Sequence, residues 1–385
     1  MAFATIDVTK GISGVLPAAN ATYASLRPNA EPLIINGDCA VAQRGTSFTS
    51  VSSGSNFPVD RFEFYPTSLG EYTIIQEALT SGEAYNNGFR TALRIDTTTA
   101  DASPSSSDYA ILRTKFEGQD LQLFKKGTSN AEKFTLAFWV KSNKTTTGQV
   151  NLFDIDNSRL VSGTYTISSA NTWEKKVINF PADTTGAFDN NNALSLIVEF
   201  FLDGGSNWTS GTAPTSWEAQ SNGDRNANNF AIGSSTDNDF AITGVQLEVG
   251  EFTSTTLPPF QHEDFGNNLA RCQRYFWKAD TSTNARPFCM GRYWSADNVG
   301  GLLYYPVKMR TAPTVTWVNP TNGWLSSGGT GSSNDYFTDI VTDAATTESV
   351  VWYTSGTSAD GTAGYGTIIY TGTGGGREMN CNAEL

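Results

Sequence analysis

From Pro32 to about Phe260 the chain keeps one rhythm: short runs of β-branched, aromatic and aliphatic residues separated by clusters of Gly, Asn, Asp and Ser. That rhythm excludes long helices and predicts strands at EPLIING, DRFEFYP, EYTIIQEAL, FRTALRID, DYAILRTKF, KFTLAFWVKS, GQVNLFDI, WEKKVINFP, LSLIVEFFL, NNFAIG and DFAITGVQLEVG. Alternation in FTLAFWV sets Phe134, Leu136, Phe138 and Val140 on one face and Thr135, Ala137 and Trp139 on the other, so both faces of this strand call for cover. The nearly unbroken apolar run of LSLIVEFFL fits a central strand in a stack of two sheets. About ten strands with hardly any helical period describe an all-β protein whose main body is a jelly-roll β-sandwich.

Composition agrees with that reading. Only 38% of residues are hydrophobic, yet 9 Trp, 14 Tyr and 23 Phe supply large apolar areas that folding must bury, which argues against disorder. The formal charge of −13 repels phosphate backbones and anionic lipid, so nucleic acid is a poor partner. No apolar run reaches the roughly 18 residues of a membrane span. The opening MAFATIDVTKGISG has no basic region followed by an apolar block, and the expectation is a chain made in a reducing cytoplasm. Cys39, Cys272, Cys289 and Cys381 are dispersed and read as buried thiols.

Four regions follow. Residues 1–31 lack a sustained period and read as an extended arm that attaches to a larger assembly. Residues 32–260 form the jelly roll. Residues 261–278 are a linker, in which FGNNLARCQRYFWK places Leu269, Cys272 and Tyr275 or Phe276 at helical spacing behind the strand-stopping Pro258 and Pro259. Residues 279–385 return to strands (RPFCMGRYW, GGLLYYPVKM, PTVTWVN, ESVVWYTS, GTIIYTG) and make a smaller β-sandwich tip domain.

Little in the sequence points to catalysis. His262 is the one histidine; it lies in QHED beside the linker, and no G-x-S-x-G elbow accompanies it, so no nucleophilic triad is expected. A zinc site has too few ligands. Calcium would draw on Asp183, Asp189, Asn190, Asp237 and Asp239, but these lack the spacing of a calcium loop and serve equally well as turn formers. No cofactor is expected. Sugar recognition requires flat aromatic faces beside amides and carboxylates. The polar stretch DGGSNWTSGTAPTSWEAQSNGDRN offers Trp208 and Trp217 flanked by Asp203, Asn207, Glu218 and Asn222, with lid packing over the sandwich edge as the competing role for both tryptophans. Trp324, Tyr336, Tyr353 and Tyr365 add candidates near Gly-rich turns of the tip domain.

IINGDCAVAQRGTSF followed by FPVDRFEFY resembles the opening of a module of bacteriophage virion proteins, in which N-G-D, Q-R and V-D-R-F/W recur. FTLAFWVKSN, TYTISSANTWEKKVINFPADTTGAF, FAITGVQLEVG, PPFQHEDFGNNLARCQRYF and YYPVKMRTAPTVTW follow in the order of that family, over residues 32 to about 320. The resemblance implies a non-enzymatic tail fibre or other virion appendage with a carbohydrate-binding-module-like jelly roll. It further implies a homotrimer, docking on other virion proteins through residues 1–31, and host surface glycan as the ligand of a receptor-binding component. Such modules often hold calcium through an Asp in the strand that here reads FAITGVQLE, without that Asp. A head- or collar-attached decoration without a specific ligand is the alternative, and a polysaccharide-degrading tailspike a lesser one.

Overall fold

The computed structural model describes residues 31–385 except 280, 282–283, 285, 320, 328–334, 355–360 and 373–375. The attachment arm expected at 1–31 thus lies, but for Glu31, outside the described residues. The protein is all-β. Its first body comprises β1 (Ser47–Ser53), β2 (Asn56–Val59), β3 (Phe62–Ala78), β4 (Thr91–Thr99), β5 (Tyr109–Glu117), β6 (Phe134–Lys141), β7 (Thr147–Asp154), β8 (Arg159–Thr166), β9 (Glu174–Phe180), β10 (Leu194–Gly204), β11 (Glu218–Ala219) and β12 (Asp239–Val249). They join in one antiparallel sheet in the order β11-β8-β7-β10-β5-β3-β4-β12-β6-β9, with β1 and β2 paired to β3.

That sheet rolls into a sandwich because β3 bends. Its first half pairs with β5 and its second half with β4. Between them Ser68 (φ 54°) and Gly70 (φ 64°) adopt left-handed backbone, and a Cβ at position 70 would stand 2.2 Å from the Thr99 carbonyl oxygen. At the far ends of the roll β8 meets β9 without a ladder. Gly163 makes room there, since a Cβ would lie 2.4 Å from Ile178 Cγ2.

The core fills the roll. Phe138 meets Phe200 edge to face at 5.0 Å, and Phe124 stacks on Phe134 at 3.8 Å. Each such buried ring contributes roughly 2–3 kcal/mol from its removal from water. The opposite face of β6 is covered too: half-buried Trp139 packs against a satellite cluster of Phe89, Trp173 and Ala241. His262 sits in this layer, 5.0 Å from the Phe89 ring and 4.9 Å from Phe260.

Two predicted strands are turns. In EPLIING, Asn36 is left-handed (φ 61°), and its side chain bonds Val41 N, Val41 O and Asp60 O, which folds the segment back instead of extending it. In NNFAIG, Ala231 is left-handed and a 3₁₀ turn, Ile232–Ser234, follows. DRFEFYP and EYTIIQEAL merge into the single strand β3.

The expected helix runs Phe265–Gln273, capped by Asp264, whose Oδ1 accepts from Asn267 N at 3.1 Å. It buries Asn268 and Cys272 and leaves Leu269 at the margin, because Asn268 reaches back to Asn36 and Asp38. The second body follows as β13 (Phe276–Lys278), β14 (Pro287–Tyr293), β15 (Val299–Tyr304), β16 (Thr314–Val318), β17 (Trp324–Ser327), β18 (Asp335–Tyr336), β19 (Val341–Ala345), β20 (Ser349–Tyr353), β21 (Gly366–Thr371) and β22 (Glu378–Asn382). A small sheet, β13-β22-β16, and a larger one, β18-β17-β21-β14-β15-β20-β19, share a core built on Trp324, Trp352, Tyr293 and Phe337. The four thiols are unpaired; Cys39, Cys272 and Cys381 are buried and Cys289 is half-buried. Burial pushes the Cys289 and Cys381 thiols up to about 12, which keeps them protonated and inert.

Candidate functional site: an aromatic ledge on the jelly roll

Alternation gives β3, β5, β10 and β7 a second face that points away from the sandwich core. Phe62 and Phe64 go inward, so Glu63 and Tyr65 go outward; Ala110 and Leu112 go inward, so Tyr109, Ile111 and Arg113 go outward. Register then lines up a polar row, Glu63–Arg113–Glu199–Asn151–Ser162, across five strands. Arg113 donates to Glu63 at 2.7 Å, Asn151 donates to Glu199 at 2.9 Å, and Ser162 donates to Asn151 Oδ1 at 2.7 Å. Burial opposes ionisation of Glu63, but the Arg113 and Lys115 cations overcome it and hold the carboxyl at about 2.

Half of this face is closed. The segment 205–229 crosses β7 and β10, where Gln149 donates to Asp224 O, Asn151 donates to Arg225 O, and Arg225 pairs with the fully buried Glu199. The open half is a ledge. Tyr65 and Tyr109 stack nearly parallel (9°) with centroids 6.0 Å apart, and Trp208 meets Tyr109 edge to face at 5.0 Å. All three rings are half-buried, and the Arg113 guanidinium lies 5.0 Å from the Tyr65 centroid. Flat rings beside a rigidly held cation–carboxylate pair can take the apolar face of a pyranose while bonding its hydroxyls.

The sequence candidates divide. Trp208 joins the ledge, held by its Nε1 donating to Ser107 O at 3.1 Å. Asn207 is exposed nearby. Asp203 is buried and serves the fold, accepting from Gly233 N and Asn229; desolvation raises its pKa. Glu218 and Asn222 are exposed but sit on the crossing segment beyond the ledge.

Trp217 is corrected to a core residue. It is 8% exposed, donates to Pro181 O at 2.8 Å and lies under Lys126, so it offers no face to a ligand. Trp324 is likewise fully buried, edge to face with Trp317 at 5.3 Å, because the register of β17 turns it inward. Tyr336 is half-buried, while Tyr353 and Tyr365 are exposed in the tip body, remote in sequence from the ledge strands.

Tyr65 and Tyr109 were missed because strand tyrosines read as core. The signal was their phase, odd against the even-numbered core positions.

Two of the calcium candidates are engaged otherwise, and Asp189, Asn190 and Asp237 are exposed. Asp183 is neutralised by Arg159 and Lys126, and Asp239 accepts from Asn143 N while facing Arg94. Among the described residues no cluster of three His, Cys, Asp or Glu could hold a metal ion.

The Q-R, V-D-R-F and Q-R-Y-F motifs behind the family resemblance converge elsewhere, at the joint between the two bodies. Asp60 accepts from Gln43 N at 3.2 Å and faces Arg44 at 3.6 Å. Gln43 also donates to Phe276 O at 2.6 Å, and the Arg44 guanidinium covers the Phe276 ring at 3.5 Å. Arg61 pairs with Glu384 and lies 3.5 Å over Tyr275. These are clamp residues.

No family model and no curated protein matches the chain. Among solved structures, the enzymatically active domain of bacteriophage CBA120 tailspike protein 4 is similar at 15% identity and TM-score 0.28, over 52% of this chain and 21% of that one, so the chain spans about a fifth of its length. A family 11 carbohydrate-binding module from Clostridium thermocellum, bound to a mixed-linked tetrasaccharide, is similar at 10% identity and TM-score 0.25, over 54% of this chain and 98% of that one. A cyclase from Fischerella sp. is similar at 12% identity and TM-score 0.26, over 61% and 97%.

Proposed function

We propose that this chain is a non-enzymatic bacteriophage virion fibre protein that adheres to host surface glycan through the Tyr65–Tyr109–Trp208 ledge. The observation that carries the proposal is the parallel tyrosine pair, half-exposed at the surface beside the ion-paired Arg113. Folding spends most aromatic area on the core, and rings kept at a surface beside fixed hydrogen-bonding groups are the pattern of sugar recognition. A single ledge binds weakly, and several copies on one appendage multiply its strength. Virion partners dock through residues 1–31, and the protein resides on the virion surface.

The test is binding of the full chain to a glycan array and adsorption to host cells. Tyr65→Ala, Tyr109→Ala and Trp208→Ala each lower binding at least about tenfold while the melting transition is retained. Polysaccharide turnover by the isolated chain, or wild-type levels of binding by all three variants, would overturn the proposal.

The decoration reading draws on a different observation: the conspicuous motif residues are spent on a stiff joint between two bodies, as a strut requires. Saturable glycan binding by the wild type decides against it.

A further inference from the structure

The larger sheet of the tip body is apolar on both sides. Tyr293, Val299, Val350, Trp352 and Ile369 face its core. On the outward side Met290, Leu302, Tyr304, Tyr353 and Ile368 stand 76%, 42%, 68%, 37% and 42% exposed, with Trp294 at 54% beside them. Pairing places them together: Met290 lies opposite Ile368, and β15, which carries Leu302 and Tyr304, runs between β14 and β20. Aliphatic side chains such as Met290, Leu302 and Ile368 gain nothing from sugar hydroxyls. They are what a protein partner covers.

We infer that this outward face is an interface with a second copy of the same chain. Area is the first argument: the six side chains expose roughly 700 Å², close to the ~800 Å² that each partner of a stable pair covers. Relief is the second. Gly300 interrupts the side chains in mid-face, and Trp294 folds onto that gap, where a Cβ on Gly300 would stand 2.3 Å from its Nε1. Hollows of about 480 and 300 Å³ flank Trp294, beside the projecting Met290 and Tyr304, so one face carries both knobs and sockets. Charge is the third. A chain of net charge −13 disfavours self-association in general, but this face carries the cation Arg292 on β14 and the anion Asp343 on β19, which an adjacent copy can bring together across the contact. A copy of the same sheet supplies apolar area, relief and opposite charge at once.

Sedimentation velocity of the full chain at about 10 μM tests this, with Met290→Glu, Leu302→Glu and the double variant compared to wild type. The replaced side chains point away from the core, and circular dichroism melts verify folding. The wild type sediments as an assembly, and the double variant as a single chain, with self-affinity reduced at least about 100-fold. A wild type that sediments as one chain, or a double variant that assembles as the wild type does, overturns the inference. So does a single-chain wild type whose binding to neutral oligosaccharides falls in Trp294→Ala, which would make the face a sugar site. Tyr65→Ala, which tests the glycan proposal, leaves the sedimentation unchanged, so the two ideas fail separately.

Discussion

Arg274, just after the linker helix, holds Glu117 of the jelly roll with two hydrogen bonds of 2.9 and 2.7 Å, and Tyr275 adds a third of 2.6 Å from its hydroxyl. Glu117 is fully buried, so these donors are its compensation for leaving water. The two bodies therefore share an ionic lock here, in addition to the Arg61–Glu384 pair. Around it Arg310 donates to Asn192 O at 2.9 Å, and Asn192 donates back to Arg310 O at 2.8 Å.

Removing the cation leaves the carboxylate stranded. Arg274→Ala costs about 3 kcal/mol in chemical denaturation, and Glu117→Gln costs less because it removes charge and partner demand together. Equal losses for the two variants would contradict the lock.

Glu63 makes the protein acid-sensitive. Its folded pKa, about 2, lies below the unfolded carboxylate value, so its contribution is complete above about pH 4.5 and is lost as pH falls toward 2. The full loss is on the order of 3 kcal/mol. Denaturant midpoints between pH 5 and 2 fall in the wild type and stay flatter in Glu63→Gln.

Asp60 has the opposite sign. Burial raises its pKa to about 6 despite Arg44 and Gln43, so the folded state keeps a proton that the unfolded chain has already released. Its contribution is present below about pH 4 and lost as pH rises through 6. In Asp60→Asn the decline between pH 4 and 6 becomes shallower, read from the same denaturation series.

The two loop tryptophans separate stability from binding. Trp217→Ala empties a core site and costs about 3–5 kcal/mol. Trp208→Ala removes a half-buried ring, costs about 1–2 kcal/mol and abolishes the ledge's third wall. Thermal melts alongside glycan binding distinguish them; a binding loss confined to Trp217→Ala would overturn the ledge.

Gly70→Ala strains the bend in β3, where backbone is left-handed and a Cβ meets the Thr99 carbonyl. A loss of about 2 kcal/mol or more in denaturation is expected. A neutral result would mean that β3 need not turn there.

By itself the sequence determined the all-β class, the two bodies, the linker helix and which residues of each strand share a face. Period-two alternation is a local property, written into every few residues: Phe134, Leu136 and Phe138 declare their common side without help from the rest of the chain. What alternation omits is which side is covered, and by what. Trp217 and Tyr109 show the consequence. Trp217, in a polar loop, is buried because β11 pairs with β8 and the ring beside it packs on Phe134 beneath Lys126, while Tyr109, in a strand, stays half-exposed because the 205–229 segment meets it only through the edge of Trp208. Likewise the N-G-D, Q-R and V-D-R-F motifs could be read in order along the chain, but only packing against the linker helix and Glu384 makes them a clamp. Cover comes from contacts between residues tens to hundreds of positions apart, and their free energy is decided by the folded arrangement as a whole.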